Sequence, residues 1–234
     1  TFGERPVALS PLQAREFRHV TRGLWGVTSL PPALGQVSTL LVAAILGPEI
    51  AGAVFVAERT TRLIVVALSG INQALAPEIS AEFHGGRRAH VQRISGLSAL
   101  AATAVALVAL FGFWVLGGFV LALFEPAYAT PTMVTVLLIF GLGAAVGSAC
   151  GPVEILLQLT GEQHALFRIL VIVNPVGLAL TAVATTLWGP IGAGIGIAAT
   201  TAAWNVLAVI HARRKMGIDP SLLGLLRRPA EAHA

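Results

Sequence analysis

Six long apolar runs make up most of this chain, and the gaps between them alternate in charge. Thirteen of the fifteen Lys and Arg residues lie at the two ends of the chain and in every second gap. Loops on the cytoplasmic side of a membrane accumulate Lys and Arg. The alternation therefore predicts a multi-pass membrane protein with both termini in the cytoplasm. The positive residues of these segments are Arg5, Arg15, Arg18, Arg22, Arg87, Arg88, Arg93, Arg168, Arg213, Arg214, Lys215, Arg227 and Arg228.

The composition supports a lipid environment. The chain is 56% hydrophobic and 11% charged, with a mean hydropathy of +0.82. Such a chain has too little polar surface to cover a water-soluble globule. The pI of about 10.5 does not indicate nucleic acid, because the positive residues are dispersed without interleaved aromatic side chains. We expect membrane lipid, with anionic headgroups as the counter-charge, and no nucleic-acid partner.

The length of the runs predicts six transmembrane helices, because about 20 apolar residues cross about 30 Å of hydrocarbon. No alternating barrel pattern is present, so helices are the expected spanning structure. This gives an all-α membrane bundle with a cytoplasmic amphipathic lead-in at 1–23, a six-span lobe at 24–211 and a basic cytoplasmic tail at 212–234. The chain starts at Thr1 without a signal peptide and is expected to be the later part of a longer protein. The predicted spans are 24–46, 52–78, 97–122, 132–157, 167–187 and 191–211.

Proline residues inside the predicted spans mark candidate hinges. Pro31 and Pro32 fall in the first span, Pro152 in the fourth, and Asn174 and Pro175 in the fifth. Each proline removes a backbone hydrogen bond and favours a kink. Such positions can act as hinges or line a cavity; alternatively, neighbouring helices simply satisfy the freed carbonyl.

Glycines at fourth-residue spacing predict close helix packing. Gly143, Gly147 and Gly151 follow this spacing, as do Gly192 and Gly196. Small residues at such positions let helix backbones approach one another in a membrane.

Three charged residues, Glu58, Arg59 and Arg62, lie in the middle of the second predicted span, away from its ends. From an extracellular end near Ala51, Arg62 lies about 16 Å along the helix, close to mid-membrane. A charge at that depth costs a few kcal/mol unless it faces a cavity or a partner, which makes it a functional candidate. The alternative is structural: Glu58 and Arg62 are four residues apart and could form an ion pair. Arg59 has no obvious local partner.

Catalytic and metal-binding patterns are weak. The six histidines fall in predicted cytoplasmic segments without zinc-ligand spacing. No phosphate-binding glycine loop of the Walker type is present. We therefore expect neither an enzyme nor a bound metal or cofactor, and favour transport or a scaffold role. The histidines are His19, His84, His90, His164, His211 and His233.

Two stretches resemble a known family. Residues 52–83, GAVFVAERTTRLIVVALSGINQALAPEISAEF, resemble the segment of polysaccharide-export flippases in which a span ends in a P-x-I-A-x-x cytoplasmic turn. Residues 158–220 resemble their Thr-Gly turn, Asn-bearing span, GxxGAxxG-like turn, Trp-Asn span and basic tail ending in Gly-Ile-Asp. The chain thus resembles the carboxy-terminal six-helix lobe of a MATE-like (MOP superfamily), Wzx-type oligosaccharide flippase.

This resemblance implies a function and a set of site residues. Such flippases have two six-helix lobes around a central cavity and move polyprenyl-pyrophosphate-linked oligosaccharide by alternating access. The resemblance implies a bacterial plasma membrane location, a lipid-linked glycan substrate, and a missing amino-terminal lobe as partner. It assigns the substrate pyrophosphate to Arg59 and Arg62, with Glu58 beside them, since Arg binds phosphate through two donors.

Two other functions fit the same pattern. A cation-coupled multidrug exporter of the same superfamily would favour an acidic, aromatic-lined cavity, whereas the middle of the second span has two Arg residues against one Glu. A non-transporting membrane scaffold in a glycan-assembly complex would need only the six spans.

Overall fold

Six α-helices and two short 3₁₀ helices form the part of the chain that our computed structural model describes, residues 37–226 without the side chains of 64, 65, 67–69 and 71. No strand occurs in this part, so the predicted all-α class is confirmed. Pro31 and Pro32 lie outside the described residues. The α-helices are α1 (Val37–Leu46), α2 (Pro48–His84), α3 (Arg88–Ala122), α4 (Pro131–Ala149), α5 (Val153–Leu159) and α6 (Gln163–Met216); the 3₁₀ helices are Pro126–Tyr128 and Leu222–Leu225.

The bundle has the surface of a membrane protein. Helices α3, α4 and α6 are each long and apolar enough to cross a membrane. Large apolar side chains lie on the outside of α3, where Phe111, Trp114 and Phe119 are each more than 60% exposed. In water this surface would be unfavourable, whereas lipid chains solvate it. The chain is therefore a membrane helix bundle.

Helix α6 is two antiparallel arms that meet at Gly189. This residue has φ 58° and ψ −137°, a conformation that L side chains rarely adopt. Residues on either side of it face each other: Gly177 lies against Thr200, and Thr181 lies against Gly196. Residues 23 positions apart in a continuous helix would be about 35 Å apart. The chain therefore reverses at Gly189, and the predicted spans 167–187 and 191–211 fall in the first arm (163–188) and the second arm (190–216).

The fourth predicted span, 132–157, is wrong beyond Ala149. There α4 ends, and α5 is a separate helix of seven residues. The break follows from two residues: Gly151 has φ +71°, and Pro152 has no backbone N–H to continue the helix. A Cβ at Gly151 would collide with the carbonyl oxygen of Pro220. Pro152 is thus the residue that precedes α5 rather than a kink within a continuous span.

The other predicted spans lie within described helices. Span 52–78 falls inside the 37 residues of α2, and span 97–122 falls inside α3, which already starts at Arg88. Of span 24–46, only residues 37–46 are described, as α1. The total of six spans stays a prediction.

The two classes of gap lie at opposite ends of the bundle, as the charge alternation predicted. At one end, Arg88 donates a hydrogen bond to the carbonyl of Met216 (3.3 Å), and His211 and Glu162 are hydrogen-bonded at 3.1 Å. At the other end, the hydroxyl of Tyr128 lies against Gly52. That the basic end faces the cytoplasm stays a prediction.

The predicted tail begins as helix and then folds back onto α3. Helix α6 continues to Met216 and ends at Gly217, which is left-handed with φ 69°. The amide of Gln92 holds the following segment at two points: its Oε1 accepts a hydrogen bond from the Asp219 N–H (3.1 Å), and its Nε2 donates one to the Gly224 carbonyl (2.8 Å). The segment 217–226 is therefore packed onto the bundle.

Candidate functional site

A cavity of about 380 Å³ lies in the interior of the bundle, between α2, α4 and the two arms of α6. Along these helices it falls between two buried apolar clusters, one containing Leu121 and Val136 and the other containing Leu156 and Leu166. The cavity is lined by Ser38, Glu58, Thr61, Arg62, Val66, Phe140, Gly143, Ala144, Asn174, Gly177, Leu178, Thr181, Ile197, Ala198, Thr200, Thr201 and Trp204.

Small residues bring the walls of the cavity together. A Cβ on Gly143 would lie 2.9 Å from the Cβ of Ala198, so α4 packs directly against the second arm. A Cβ on Gly196 would lie 2.5 Å from the hydroxyl of Thr181, so the two arms are equally close. The predicted close approach at these glycines is confirmed, and it fixes the relative positions of the helices that line the cavity.

Glu58 and Arg62 form an ion pair within the cavity lining. The Nη2 of Arg62 donates a hydrogen bond to the Oε1 of Glu58 at 2.5 Å. The Glu58 side chain is 12% exposed, whereas that of Arg62 is 46% exposed. The ion pair that the sequence offered as a structural alternative is therefore present, and it also lines the cavity, so the two interpretations do not exclude each other.

Arg59 lies apart from this pair. Its guanidinium stacks over the ring of Phe55, with 4.8 Å from Cζ to the ring centroid, and its side chain is exposed. It does not line the cavity. The reason is helical periodicity: residues 58 and 62 share a face, whereas the next residue, 59, is rotated by about 100°. Structure therefore brings Arg62 and Glu58 to the cavity but not Arg59.

Threonine hydroxyls form a polar lining that sequence reasoning missed. Each donates its proton to a carbonyl four residues earlier in its own helix, at 2.7–3.1 Å. A hydroxyl that has donated its proton keeps oxygen lone pairs as acceptors. The sequence feature that could have indicated this polar lining is the presence of threonines inside otherwise apolar spans. The four hydroxyls belong to Thr61, Thr181, Thr200 and Thr201.

Asn174, one of the predicted hinge or cavity-lining positions, lies in the cavity lining. Its Nδ2 donates to the carbonyl of Leu170 at 2.8 Å, within the first arm of α6. The arm continues through Pro175 without a break in helical geometry, so a hinge role for these residues stays a prediction. Asn72 makes a contact between helices, because its Oδ1 accepts a hydrogen bond from Ser98 of α3 at 2.7 Å.

The remaining wall of the cavity is apolar and partly aromatic. Phe140 of α4 and Leu178, Ile197 and Trp204 of α6 contribute it. Charged, hydroxyl and apolar groups thus share one cavity, which suits a ligand that is itself amphiphilic.

The histidines of the described residues lie away from the cavity lining. His84 contacts the Ser80 carbonyl, His90 lies 3.6 Å from Glu78, and His211 pairs with Glu162. Within residues 37–226, no group of three or more His, Cys, Asp or Glu side chains is placed to hold a metal ion.

Comparison of the chain with protein-family models, curated proteins and solved structures gives no match. The resemblance to oligosaccharide flippases therefore stays a prediction from the residues that carry it.

Proposed function

We propose that this chain is a lobe of a flippase that moves polyprenyl-pyrophosphate-linked oligosaccharide across a bacterial plasma membrane. The observation that carries the proposal is the position of Arg62, a half-exposed guanidinium in a mostly apolar cavity inside a membrane bundle. Charged residues at such positions mark substrate pathways in membrane proteins.

The chemistry of the cavity fits the headgroup of such a substrate. Arg62 donates one N–H to the carboxylate of Glu58, and a guanidinium has five N–H donors. Its remaining donors are available for phosphate oxygens, which Arg binds through two parallel hydrogen bonds. The threonine oxygens accept hydrogen bonds from sugar hydroxyls, while the polyprenyl tail remains in lipid.

The size of the cavity limits how much of the substrate this lobe can hold. A volume of about 380 Å³ lies at the lower end of the roughly 300–1,000 Å³ of small-ligand sites. It holds a pyrophosphate and part of the adjoining sugar. The rest of the glycan requires the facing amino-terminal lobe, and rocking of the two lobes about the headgroup gives alternating access.

A second candidate is cation-coupled export of drugs by the same fold. The observation that favours it is Glu58, which places a carboxylate in the cavity beside threonine oxygens with free lone pairs. Carboxylate and hydroxyl oxygens attract cations. In this case the cavity would accept a cationic drug or the coupling cation rather than a phosphate.

The test compares Arg62→Gln with Arg59→Gln in the full-length protein. Both variants remove one positive charge from α2, but only residue 62 lines the cavity. Delivery of lipid-linked glycan to the outer leaflet is measured in cells and in vesicles. We expect delivery to fall at least tenfold for Arg62→Gln and much less for Arg59→Gln. Unchanged delivery with Arg62→Gln overturns the proposal, and loss of cationic-drug resistance with Glu58→Gln favours the exporter.

A further inference from the structure

Glu58 is hydrogen-bonded to Arg62, the residue that we propose binds the substrate phosphate. Resting on the function proposed above, we infer that Glu58 is an internal counterion that competes with the substrate phosphate for Arg62. It thereby sets both the affinity of the cavity and its preference for multiply charged anions.

The geometry gives the two side chains unequal roles. They lie one turn apart on α2 and are joined by a single hydrogen bond between Nη2 and Oε1. Glu58 is largely enclosed at 12% exposure, whereas Arg62 is open at 46%. An anion entering the cavity therefore meets the guanidinium of Arg62 on its open side, and the carboxylate of Glu58 lies on the enclosed side.

The charge of Glu58 weakens the attraction of Arg62 for anions. Glu58 and Arg62 are the charged side chains among the described residues that line the cavity, so their formal charges cancel. An anion at Arg62 is attracted by the guanidinium and repelled by a carboxylate a few ångströms away, with weak screening because the site is partly enclosed. A singly charged anion gains little from this balance. A pyrophosphate carries more charge and presents several oxygens, so it displaces the carboxylate more effectively.

Competition between Glu58 and the substrate for Arg62 helps the substrate to dissociate during transport. An unpaired arginine in an apolar cavity would bind pyrophosphate strongly and release it slowly, because most differences in affinity appear in the dissociation rate. A carboxylate that re-forms its ion pair when the substrate leaves stabilises the empty cavity. Glu58 therefore favours release on the far side of the membrane.

The experiment measures binding to the purified full-length protein in lipid nanodiscs. The probes are geranylgeranyl pyrophosphate, geranylgeranyl monophosphate and, as the neutral reference, geranylgeraniol. The variants are Glu58→Gln, Glu58→Asp and Arg62→Gln. Glu49→Gln is the matched control, because it removes the same charge from an exposed position in the first turn of α2. Thermal unfolding of each variant reports its fold, and Glu58→Met replaces Glu58→Gln if the latter does not fold.

For Glu58→Gln we expect roughly tenfold tighter binding of the pyrophosphate, together with a smaller preference for pyrophosphate over monophosphate. Glu58→Asp and Glu49→Gln should bind like the wild type, and Arg62→Gln should bind at least tenfold more weakly. If Arg62→Gln weakens binding but Glu58→Gln leaves it unchanged or weaker, the counterion role is overturned while Arg62 keeps its role. If Arg62→Gln binds like the wild type, the proposed site fails and the inference fails with it.

Discussion

Gly192 lies directly against the carbonyl oxygen of Ala184, and a side chain at residue 192 would collide with the backbone of the opposite arm of α6. This contact comes immediately after the reversal at Gly189. It holds the two arms together at the end of the bundle opposite the hydrogen-bonded side chains of His211 and Glu162.

Replacing Gly192 with Ala should destabilise the bundle by about 1–3 kcal/mol, because the added methyl group forces the arms apart. Thermal unfolding in detergent measures the effect as a lowered melting temperature. Gly112→Ala is the matched control: a Cβ there meets no atom within 4 Å, and Ala is the better helix former. Equal melting temperatures for the two variants would contradict the close packing of the arms.

Replacing Gln92 with Ala should release the segment 217–226 from α3. Two hydrogen bonds are lost, to the N–H of Asp219 and to the carbonyl of Gly224, at about 0.5–1.5 kcal/mol each. Hydrogen exchange followed by mass spectrometry should show faster exchange in this segment, while the centres of α3 and α4 stay protected. Gln73→Ala, at an exposed position of α2, should leave the exchange of the segment unchanged.

Cys150 should react slowly with maleimides. It lies just beyond the end of α4, where burial of the thiol and, secondarily, the nearby Asp219 carboxylate raise its pKa to about 11. The thiolate is the reactive form, and a pKa raised from about 9 leaves roughly 100-fold less of it at neutral pH. The labelling rate should rise with pH across the range in which the protein stays folded. Rapid labelling of the folded protein at pH 7 would contradict this environment.

Single cysteines introduced at the two ends of the bundle should label from opposite sides of the membrane. In a Cys150→Ala background, Ala89→Cys should react with an impermeant maleimide only from the cytoplasmic side, and Ala127→Cys only from outside. Both positions are exposed: Ala89 lies in the first turn of α3, and Ala127 lies in the 3₁₀ helix Pro126–Tyr128. The expectation follows from the Arg-rich gap beside Ala89. Reversed labelling would invert the predicted orientation, and labelling of both from one side would contradict the bundle.

Much of the bundle follows from local properties of the sequence. Hydrophobic length predicted the helices, charge alternation predicted which gaps share an end, and the spacing of Gly192 and Gly196 predicted close packing. These features depend on neighbours along the chain and on lipid as solvent, so a single sequence contains them.

Tertiary structure decided which side chains line the cavity. Arg59 and Arg62 are the same residue type, yet only Arg62 lines the cavity, because the rotation of α2 is set by its packing against α3 and α4. The close approach of the Pro220 carbonyl to Gly151, from 69 residues away along the chain, is likewise set by tertiary packing. The threonine lining likewise forms only where α2 and the two arms of α6 come together. The sequence by itself determined the membrane helices and the charge asymmetry between their ends, whereas long-range packing selected the residues that share the cavity.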